Sequence, residues 1–403
     1  MKRFIVEVIG KVGGRLAGSR EEEAGQEMAR EAMEKFCHCA EIQTYDAPME
    51  SMHGSLKIFS AGYLLALALS WISPAAAFLV ALANAFLFLG HFLTLRLWLD
   101  FLFRKSPSWN AEGVIEPRED VRATVIFAGH MDSTKEYRFW HRLGMGGIFL
   151  TWTACAIILL LPAFLCLDLL FTRLIQGPLP AWMAHYRLSF LLLSPSLAAL
   201  AWMRSDRVVP GAQDNLSGVA VALGAARALA CAGEDWNEKT VPAPVLSHVR
   251  VRVVSFGGEE AGLRGSMAYT RRFRDRLLAE KAVLVNLDGI MRQRDLAIVT
   301  GEVSIGVRYP RDVVEDLGRA FVGRALLPNH TVIPQGFTDG AAFAREGIPA
   351  VAILGLPTGH LDPTYHSRRD TPDHVEDKAL EVTRDVLVQF AKNLDARVSG
   401  KGE

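Results

Sequence analysis

Two long stretches without a charged side chain most constrain how this chain can fold. The first runs from Ile58 to Leu95, and the second runs from Leu143 to Leu167. A helix that crosses a bilayer needs about 20 consecutive apolar residues, and both stretches are long enough to supply one. We therefore predict membrane-spanning helices here. The alternative is that the same stretches form unusually apolar core helices of a soluble protein.

Breaks within the apolar sequence divide it into predicted spans. Ser73-Pro74 interrupts the first stretch, which predicts a span over Ile58–Ile72, a tight turn, and a second span that ends near Leu95. Another apolar block, Leu188 to Met203, follows the second stretch and predicts its return across the bilayer. Two helical hairpins result, at residues 55–105 and 141–204. They interrupt a catalytic domain made of residues 1–54, residues 106–140 with its HxD strand, and residues 205–403.

Outside the apolar blocks, segments typical of strands alternate with segments typical of helices. Ser19 can cap a first helix whose opening turn carries Glu21, Glu22 and Glu23, where the helix dipole favours acidic side chains. The alternation predicts an α/β fold with a mixed, largely parallel central sheet flanked by helices. The predicted strands are Glu41–Tyr45, Val121–Ala128, Val249–Phe256, Ala282–Asp288, Leu296–Thr300 and Ala350–Leu354. The predicted helices after the last apolar block are Gly218–Ala230, Leu263–Leu278, Asp312–Gly323 and Val375–Leu394.

Five short motifs at or near the ends of these segments carry residues of the kinds that bind metals. In parallel sheets the chemistry gathers beyond the carboxyl ends of the strands, so motifs far apart in sequence are expected to meet there. A single His or Glu-Glu pair is weak evidence, because such residues are common without a ligand. The motifs are GHMDS with His130 and Asp132, QDNLSG with Asp214, FGGEEAGLRGS with Glu259 and Glu260, NLDG with Asp288, and YHSRRDTPD with His366.

Taken together, these side chains suit a site for two divalent ions. Imidazoles and carboxylates are ligands that zinc accepts, and a two-metal site needs one carboxylate that reaches both ions. The neighbouring Glu259 and Glu260 allow one carboxylate to bind metal while the other takes a proton from an activated water. A purely structural interpretation of the other motif residues is also open. The glycines would allow close packing, and Asn215 and Ser217 would cap a helix.

The ordered series HxD, DNxSG, EExGLxGS, NLD, TDxxxF and YHxxxDT resembles the M28 family of zinc metallopeptidases, which are aminopeptidase-like two-zinc exopeptidases. The resemblance covers about Gly14–Tyr45, Trp109–Lys135 and Arg207–Asn393, the chain apart from its apolar blocks. It implies two Zn²⁺ ions per chain, peptide substrates, and hydrolysis by a metal-activated water with a glutamate general base.

Position by position, the resemblance assigns a role to each motif residue. His130 and Asp288 would complete one zinc site, Glu260 and His366 the other, and Asp214 would bridge them. Glu259 would be the general base, and Asp132 would hydrogen-bond His130 and fix its tautomer. The resemblance further implies that Tyr365 helps to stabilise the oxyanion, that Asp339 and Phe343 lie beside the pocket, and that the Asp214–Asn215 peptide bond is cis.

Composition and charge bear on partners and location. The formal net charge is zero, so no overall field favours nucleic acid; the expected partners are peptides and a lipid bilayer, and the oligomeric state cannot be read. The five cysteines, an odd number, do not suggest a secreted disulfide framework, and Glu7 and Lys11 interrupt any signal-peptide core. We expect a multi-pass membrane protein. Its catalytic domain should be cytoplasmic by the positive-inside rule, since basic residues concentrate on one side of the spans: Lys57, Arg104, Lys105, Arg138, Arg142, Arg204 and Arg207 against Arg173 and Arg187. Because the spans interrupt this domain beside its predicted metal ligands, the active site should also lie close to the bilayer.

Three functions stay open at this point. The first is a membrane-associated aminopeptidase or dipeptidase. The second is a glutaminyl-cyclase-like transferase, which the resemblance associates with a single zinc. The third is a receptor or scaffold that kept the peptidase fold without catalysis. The complete set of predicted ligands together with Glu259 favours the peptidase.

Overall fold

The computed structural model describes residues 1–177, 179–230, 239–323, 329–357 and 362–400, and Cys231 lies outside these ranges. The described chain divides into two compact units. Unit 1 comprises Met1–Met49, Lys105–Lys135 and Arg207–Glu403, and unit 2 comprises Glu50–Arg104 and Glu136–Asp206. We refer to them as the α/β unit and the helical unit.

The secondary structure follows the predicted alternation. The strands are β1 (Cys39–Ala47), β2 (Ser106–Ile115), β3 (Ala123–His130), β4 (Lys135–Tyr137), β5 (Arg204–Val208), β6 (Val249–Phe256), β7 (Ala282–Asp288), β8 (Ala297–Glu302), β9 (Val307–Arg308), β10 (Asn329–Ile333) and β11 (Ala350–Leu354). The α-helices are α1 (Lys2–Val12), α2 (Arg20–Met33), α3 (Ser51–Leu69), α4 (Pro74–Phe88), α5 (Arg138–Leu143), α6 (Met145–Leu169), α7 (Tyr186–Leu193), α8 (Leu197–Ala201), α9 (Ser217–Leu229), α10 (Arg264–Ala279), α11 (Arg311–Phe321), α12 (Asp339–Arg345) and α13 (Asp377–Val398).

The α/β unit is built on a mixed sheet, as predicted. Within the described residues the sheet has nine strands in the order β1-β2-β6-β3-β7-β11-β8-β10, with β9 beside β8. The central strands β6, β3, β7 and β11 are parallel, whereas β1 and β2 pair antiparallel with their neighbours. Strand β8 pairs antiparallel with β11 and β9 and parallel with β10. All eight residues of β3 are buried. This fits a strand at the centre of a sheet that is covered on both faces.

The predicted elements differ from the observed ones mainly at their ends. Ser19 caps α2 as expected, since its hydroxyl accepts a hydrogen bond from the backbone N–H of Glu22. The last helix begins at Asp377 rather than Val375, because a short 3₁₀ turn at Pro372–His374 precedes it. The strand predicted at Val121–Ala128 is displaced by two residues and ends at His130.

The helical unit contains three helices that are long and apolar enough to cross a membrane. They are Ser51–Leu69, Pro74–Leu93 and Met145–Leu174, with the last two including a π-helical turn beyond α4 and α6. Ser73 caps α4 and Pro74 occupies its first turn, which confirms the predicted break between the first two. Phe59, Tyr63 and Leu161 are among the side chains that form a core of the unit's own.

The fourth predicted span, Leu188–Met203, is wrong. The structure divides it into α7, a 3₁₀ turn at Ser194–Ser196, and α8. Pro195 offers no backbone N–H and lies in the 3₁₀ turn that separates the two helices. The two helices have eight and five residues, far fewer than the roughly 20 that a single crossing needs.

Candidate metal centre

The α/β unit brings the predicted metal ligands together at the carboxyl edge of its parallel strands. His130 ends β3 and Asp288 ends β7, which are neighbouring strands. Glu259 and Glu260 follow β6 on the other side of β3. Asp214 lies just before α9, and His366 lies on the loop after β11. Residues from five separate segments thus meet, and four of these segments do so because parallel strands share one carboxyl edge.

Two groups of side chains in this site could each hold a metal ion. One consists of His130, Asp214 and Asp288, and the other of Asp214, Glu260 and His366. The five different residues of these groups are all buried, and the ligand atoms within a group lie within 4.8 Å of one another. Asp214 belongs to both groups, which is the bridging position that the sequence predicted for it.

The carboxylate of Asp214 faces a different histidine with each oxygen. Its Oδ1 lies 3.2 Å from His130 Nε2, and its Oδ2 lies 3.1 Å from His366 Nε2. Glu260 Oε1 is also 3.1 Å from His366 Nε2. Two ligands about 2.0–2.1 Å from a tetrahedral zinc ion stand about 3.3 Å apart. These donor–donor distances therefore fit a zinc ion in each group.

Asp132 contacts both the imidazole of His130 and the backbone of the two neighbouring glutamates. The Nδ1 atom of His130 is 3.1 Å from the backbone oxygen of Asp132 and 3.4 Å from its carboxylate, so that Nε2 is left to face the centre. The same carboxylate accepts hydrogen bonds from the backbone N–H groups of Glu259 and Glu260. Asp132 therefore orients two ligand-bearing loops, whereas the sequence predicted a contact with His130 only.

Burial and mutual repulsion raise the pKa values of carboxyl groups in the centre. Burial raises the pKa of Glu259 well above its usual value, as does the proximity of Asp339, Glu260 and Asp288. The pKa of Asp288 is raised by burial and then by Asp214. A buried cluster with this many carboxylates is costly without cations to balance it. The donor set therefore fits divalent metal ions chemically as well as geometrically.

In the bridging carboxylate and the two histidines, by contrast, the contacts favour the charged form of each side chain. Burial alone would raise the pKa of Asp214, but contacts with His130 and His366 lower it below its ordinary value. Burial opposes the positive charge of His366, yet Glu260 and Asp214 raise its pKa to about 10. Without a metal, protons on the imidazoles take the place of cations, so metal binding is expected to displace protons.

The structure places Tyr365 next to His366, and it buries both Asp339 and Phe343 of the TDxxxF stretch. The half-buried ring of Tyr365 stacks on that of His366, with centroids 3.8 Å apart. Asp339 begins α12, is fully buried, and has a pKa raised to about 7 by burial. Phe343 packs against Phe256 at the end of β6, with centroids 6.0 Å apart. The structure thus assigns Phe343 to the core beneath the centre.

Two further side chains hold the segment around the bridging aspartate: Asp370, which the sequence did not single out, and Asn215, which it predicted only as a helix cap. The carboxylate of Asp370 accepts hydrogen bonds from the backbone N–H groups of Gln213 and Asp214 at 2.6 and 3.1 Å. Asn215 donates to the backbone oxygen of Leu287 and accepts from the N–H of Gly218, so it joins α9 to β7. The Asp214–Asn215 peptide is cis, as expected. The aspartate in the YHxxxDT motif was the available signal for Asp370.

Comparison with known proteins finds a similar family. The model of peptidase family M28 matches residues 196–391, just under half of the chain. This part of the chain is therefore similar to an M28 peptidase domain. The matched range contains Asp214, Glu260, Asp288 and His366, whereas His130 precedes it.

Two curated relatives of the M28 domain are aminopeptidases by name. Aminopeptidase YwaD of Bacillus subtilis (strain 168) is 28% identical over 186 residues, which are 44% of this chain and 36% of that protein. Probable leucine aminopeptidase 1 of Trichophyton verrucosum (strain HKI 0517) is 26% identical over 197 residues, 46% of this chain and 48% of that protein. The similarity thus spans about half of these relatives or less.

Solved structures share the fold over nearly the whole chain. A zinc aminopeptidase from Bacillus subtilis superposes with a TM-score of 0.54 at 15% identity, covering 96% of this chain and 93% of that one. A glutaminyl cyclase from an Acidobacteriales bacterium gives 0.53 at 12% identity, covering 98% and 94%. The fold likeness therefore does not separate the hydrolase from the cyclase.

Proposed function

We propose that the chain is a zinc-dependent exopeptidase, an aminopeptidase or dipeptidase, anchored in a membrane by its helical unit. Its α/β unit would hold two Zn²⁺ ions and hydrolyse N-terminal residues of peptides. The observation that carries the proposal is the placement of Asp214, whose two oxygens face His130 and His366 at 3.2 and 3.1 Å. A carboxylate in that position is the shared ligand that a two-metal site needs.

The residues around the centre have separate tasks in this proposal. Bound zinc would supply Lewis-acid chemistry, polarising the scissile carbonyl and lowering the pKa of a water molecule. Glu259 would accept a proton from the attacking water and pass it to the leaving amine. Its Oε2 lies 3.6 Å from His130 Nε2. Glu259 is therefore next to the metal ligands but belongs to neither ligand group. Asp132 holds the backbone of Glu259 and Glu260 and orients His130, and Tyr365 would donate to the developing oxyanion.

The helical unit supports membrane attachment by the side chains that it leaves exposed. Three of its helices are long and apolar enough to span a bilayer, and large apolar side chains on them stand free of the unit's core. Leu79 is 65% exposed on α4, and Phe149 and Trp152 are 69% and 58% exposed on α6. The hydrocarbon of a bilayer is an environment that would stabilise these exposed apolar side chains. The cytoplasmic location of the α/β unit stays a proposal that rests on the positive-inside rule.

The direct test of the function is a substrate screen with matched variants. Purified full-length protein is assayed on aminoacyl chromogenic amides and dipeptides, together with Glu259→Gln and Glu112→Gln. Glu112 is also a buried glutamate, 2% exposed, but it contacts Arg252 and Tyr269 rather than the centre. We expect Glu259→Gln to lower kcat by at least about 100-fold, the usual contribution of a general base, while Glu112→Gln keeps its activity. Activity that survives Glu259→Gln would contradict the proposal.

The same screen separates the peptidase from a cyclase. Peptides with an N-terminal glutamine are added, and their products are analysed by mass spectrometry. Loss of ammonia with every peptide bond intact would identify a glutaminyl cyclase, which the structural likeness to that class of enzyme makes worth testing. Release of the first residue is the result that we expect.

A further inference from the structure

The short segment between α1 and α2 carries two buried charged side chains of opposite sign. Arg15 has no exposed surface, and neither has Glu22 in the first turn of α2. Ionised side chains are rarely buried completely unless their hydrogen-bonding groups are satisfied. Both residues precede the range matched by the M28 model, residues 196–391.

Arg15 joins the loop that bears His130 to the loop that leads to Asp214. Its Nε donates to the backbone oxygen of Met131 at 2.7 Å. Its Nη1 donates to Pro210 and Gly13 at 2.9 and 2.7 Å, and its Nη2 donates to Gly211 at 3.1 Å. Met131 lies directly between His130 and Asp132, and Gly211 lies three residues before Asp214. One guanidinium thus ties together two ligand loops that are separated by about 80 residues of sequence.

Backbone contacts and close packing reinforce this connection. The backbone N–H of Arg15 donates to Ser133 Oγ, the N–H of Ser133 donates to the oxygen of Arg15, and Ser133 Oγ donates to Val209. Gly211 has a φ of +64°, and a Cβ there would come within 2.9 Å of the guanidinium and 2.6 Å of Ser133 Cβ. The geometry leaves no room for a side chain between Arg15 and the loop that it holds.

Glu22 holds the third ligand loop. Its Oε1 accepts a hydrogen bond from the backbone N–H of Gly258 at 2.8 Å, directly before Glu259. Its Oε2 accepts from Gly18 N–H and Ser108 Oγ at 2.8 and 2.9 Å. A Cβ on Gly257 would lie 2.6 Å from Glu22 Oε1, so the loop approaches the carboxylate through a glycine.

We propose that Arg15 and Glu22 are positioning residues of the metal centre, which act through the backbones of the three loops that carry His130, Asp214, Glu259 and Glu260. The inference rests on the proposed function for its catalytic meaning, but its structural claim concerns metal binding. A guanidinium suits the task because it presents five N–H donors in a fixed fork. An ammonium in its place would keep the charge and lose the simultaneous reach to Met131, Pro210 and Gly211.

The first experiment measures zinc affinity in Arg15 variants of the full-length protein. Arg15→Met removes all donors, Arg15→Lys keeps the charge, and Arg252→Met is the matched control. Arg252 is 4% exposed in the same unit but binds Glu112 and Glu280, not a ligand loop. Affinity is measured by chelator competition, and the Co²⁺ absorption spectrum reports ligand geometry. Thermal unfolding checks that each variant is folded.

We expect Arg15→Met to weaken zinc binding about 10-fold to 100-fold, the range seen when groups supporting metal ligands are removed, and to alter the Co²⁺ spectrum. Arg15→Lys should recover part of the affinity, and it carries the test if Arg15→Met does not fold. Arg252→Met should bind zinc like the wild type. Unchanged affinity in both Arg15 variants, or an equal loss in Arg252→Met, would overturn the positioning role.

A second pair of variants tests Glu22 in the same way. Glu22→Gln leaves one acceptor oxygen for three donors, while Glu112→Gln changes a buried glutamate that touches no ligand loop. We expect weaker zinc binding and a lower kcat with little change in KM for Glu22→Gln only. A wild type that binds no metal would overturn the proposed function itself, whereas a wild type that binds zinc with Glu22→Gln indistinguishable from it would overturn only the role of Glu22.

Discussion

In the α/β unit, fully buried side chains include charged ones such as Arg15, Glu22 and Asp132, whereas in the helical unit large apolar side chains stand exposed. Ile72 is 82% exposed and Leu174 is 78% exposed. The buried charges of the α/β unit are stabilised by hydrogen bonds to backbone groups, which organise a site. Exposed apolar surface of the kind seen in the helical unit marks a site of contact with protein or membrane. The difference fits the proposal that the α/β unit carries the chemistry and the helical unit supplies attachment.

The largest expected effect is the loss of catalysis on changing the shared carboxylate. Asp214→Asn should lower peptidase activity at least about 1000-fold, or about 4 kcal/mol in the activation barrier, because both metal groups lose a charged ligand. Asp168→Asn is the matched change in the helical unit, where Asp168 is 2% exposed and accepts hydrogen bonds from Tyr186 and Arg187. Activity per folded molecule should persist in Asp168→Asn. Equal losses in both variants would show that the two units do not divide the tasks.

The next largest effect concerns membrane insertion. Leu160 is 50% exposed in the middle of α6, and an arginine at the centre of a spanning helix costs about 2.5–3.5 kcal/mol in insertion. Leu160→Arg should therefore reduce the fraction of protein that resists alkaline extraction from membranes. Leu278→Arg, at a 37% exposed position of α10, should leave extraction unchanged. Normal insertion of Leu160→Arg would argue that α6 does not cross the bilayer.

A smaller effect is the pH dependence of stability from a buried acid outside the metal ligands. Burial raises the pKa of Glu302 to about 7, although Tyr309 and Thr338 donate hydrogen bonds to it. Since the folded pKa exceeds the unfolded one, the stability associated with the protonated form is present at low pH and is lost as the pH rises through 7. Relative to Glu302→Gln, the wild type should lose about 2 kcal/mol of unfolding free energy between pH 5 and pH 8. If chemical denaturation shows the same pH dependence of unfolding free energy for the wild type and for Glu302→Gln, the raised pKa of Glu302 is contradicted.

The sequence predicted the parallel core and the ligand-bearing motifs because these are local signals. A buried strand followed by a polar motif is visible in β3 with His130 and in β7 with Asp288, and β6 and β11 were placed with their observed bounds. The predicted roles of the site residues stay predictions until metal binding and activity are measured. The geometry supports them by placing the six side chains in one buried cluster.

The roles of Arg15 and Glu22 could not be predicted, because their partners lie far away in sequence. Glu22 looked like an acidic residue at a helix start, which is usually solvated, yet its carboxylate reaches Gly258, 236 residues further along. Arg15 gave no periodic or motif signal, since its partners are backbone oxygens that no side-chain pattern reveals. The predicted span at Leu188–Met203 is wrong for a different reason. That prediction rests on apolar composition and leaves out the effect of Pro195 on helix continuity.

The metal content of the purified chain tests the central claim most directly. Full-length protein in detergent is loaded with Zn²⁺, freed of excess metal, and analysed for zinc against protein concentration by elemental mass spectrometry. Two groups that share Asp214 predict two zinc ions per chain in the wild type. One ion per chain, or none, would contradict the shared-carboxylate centre.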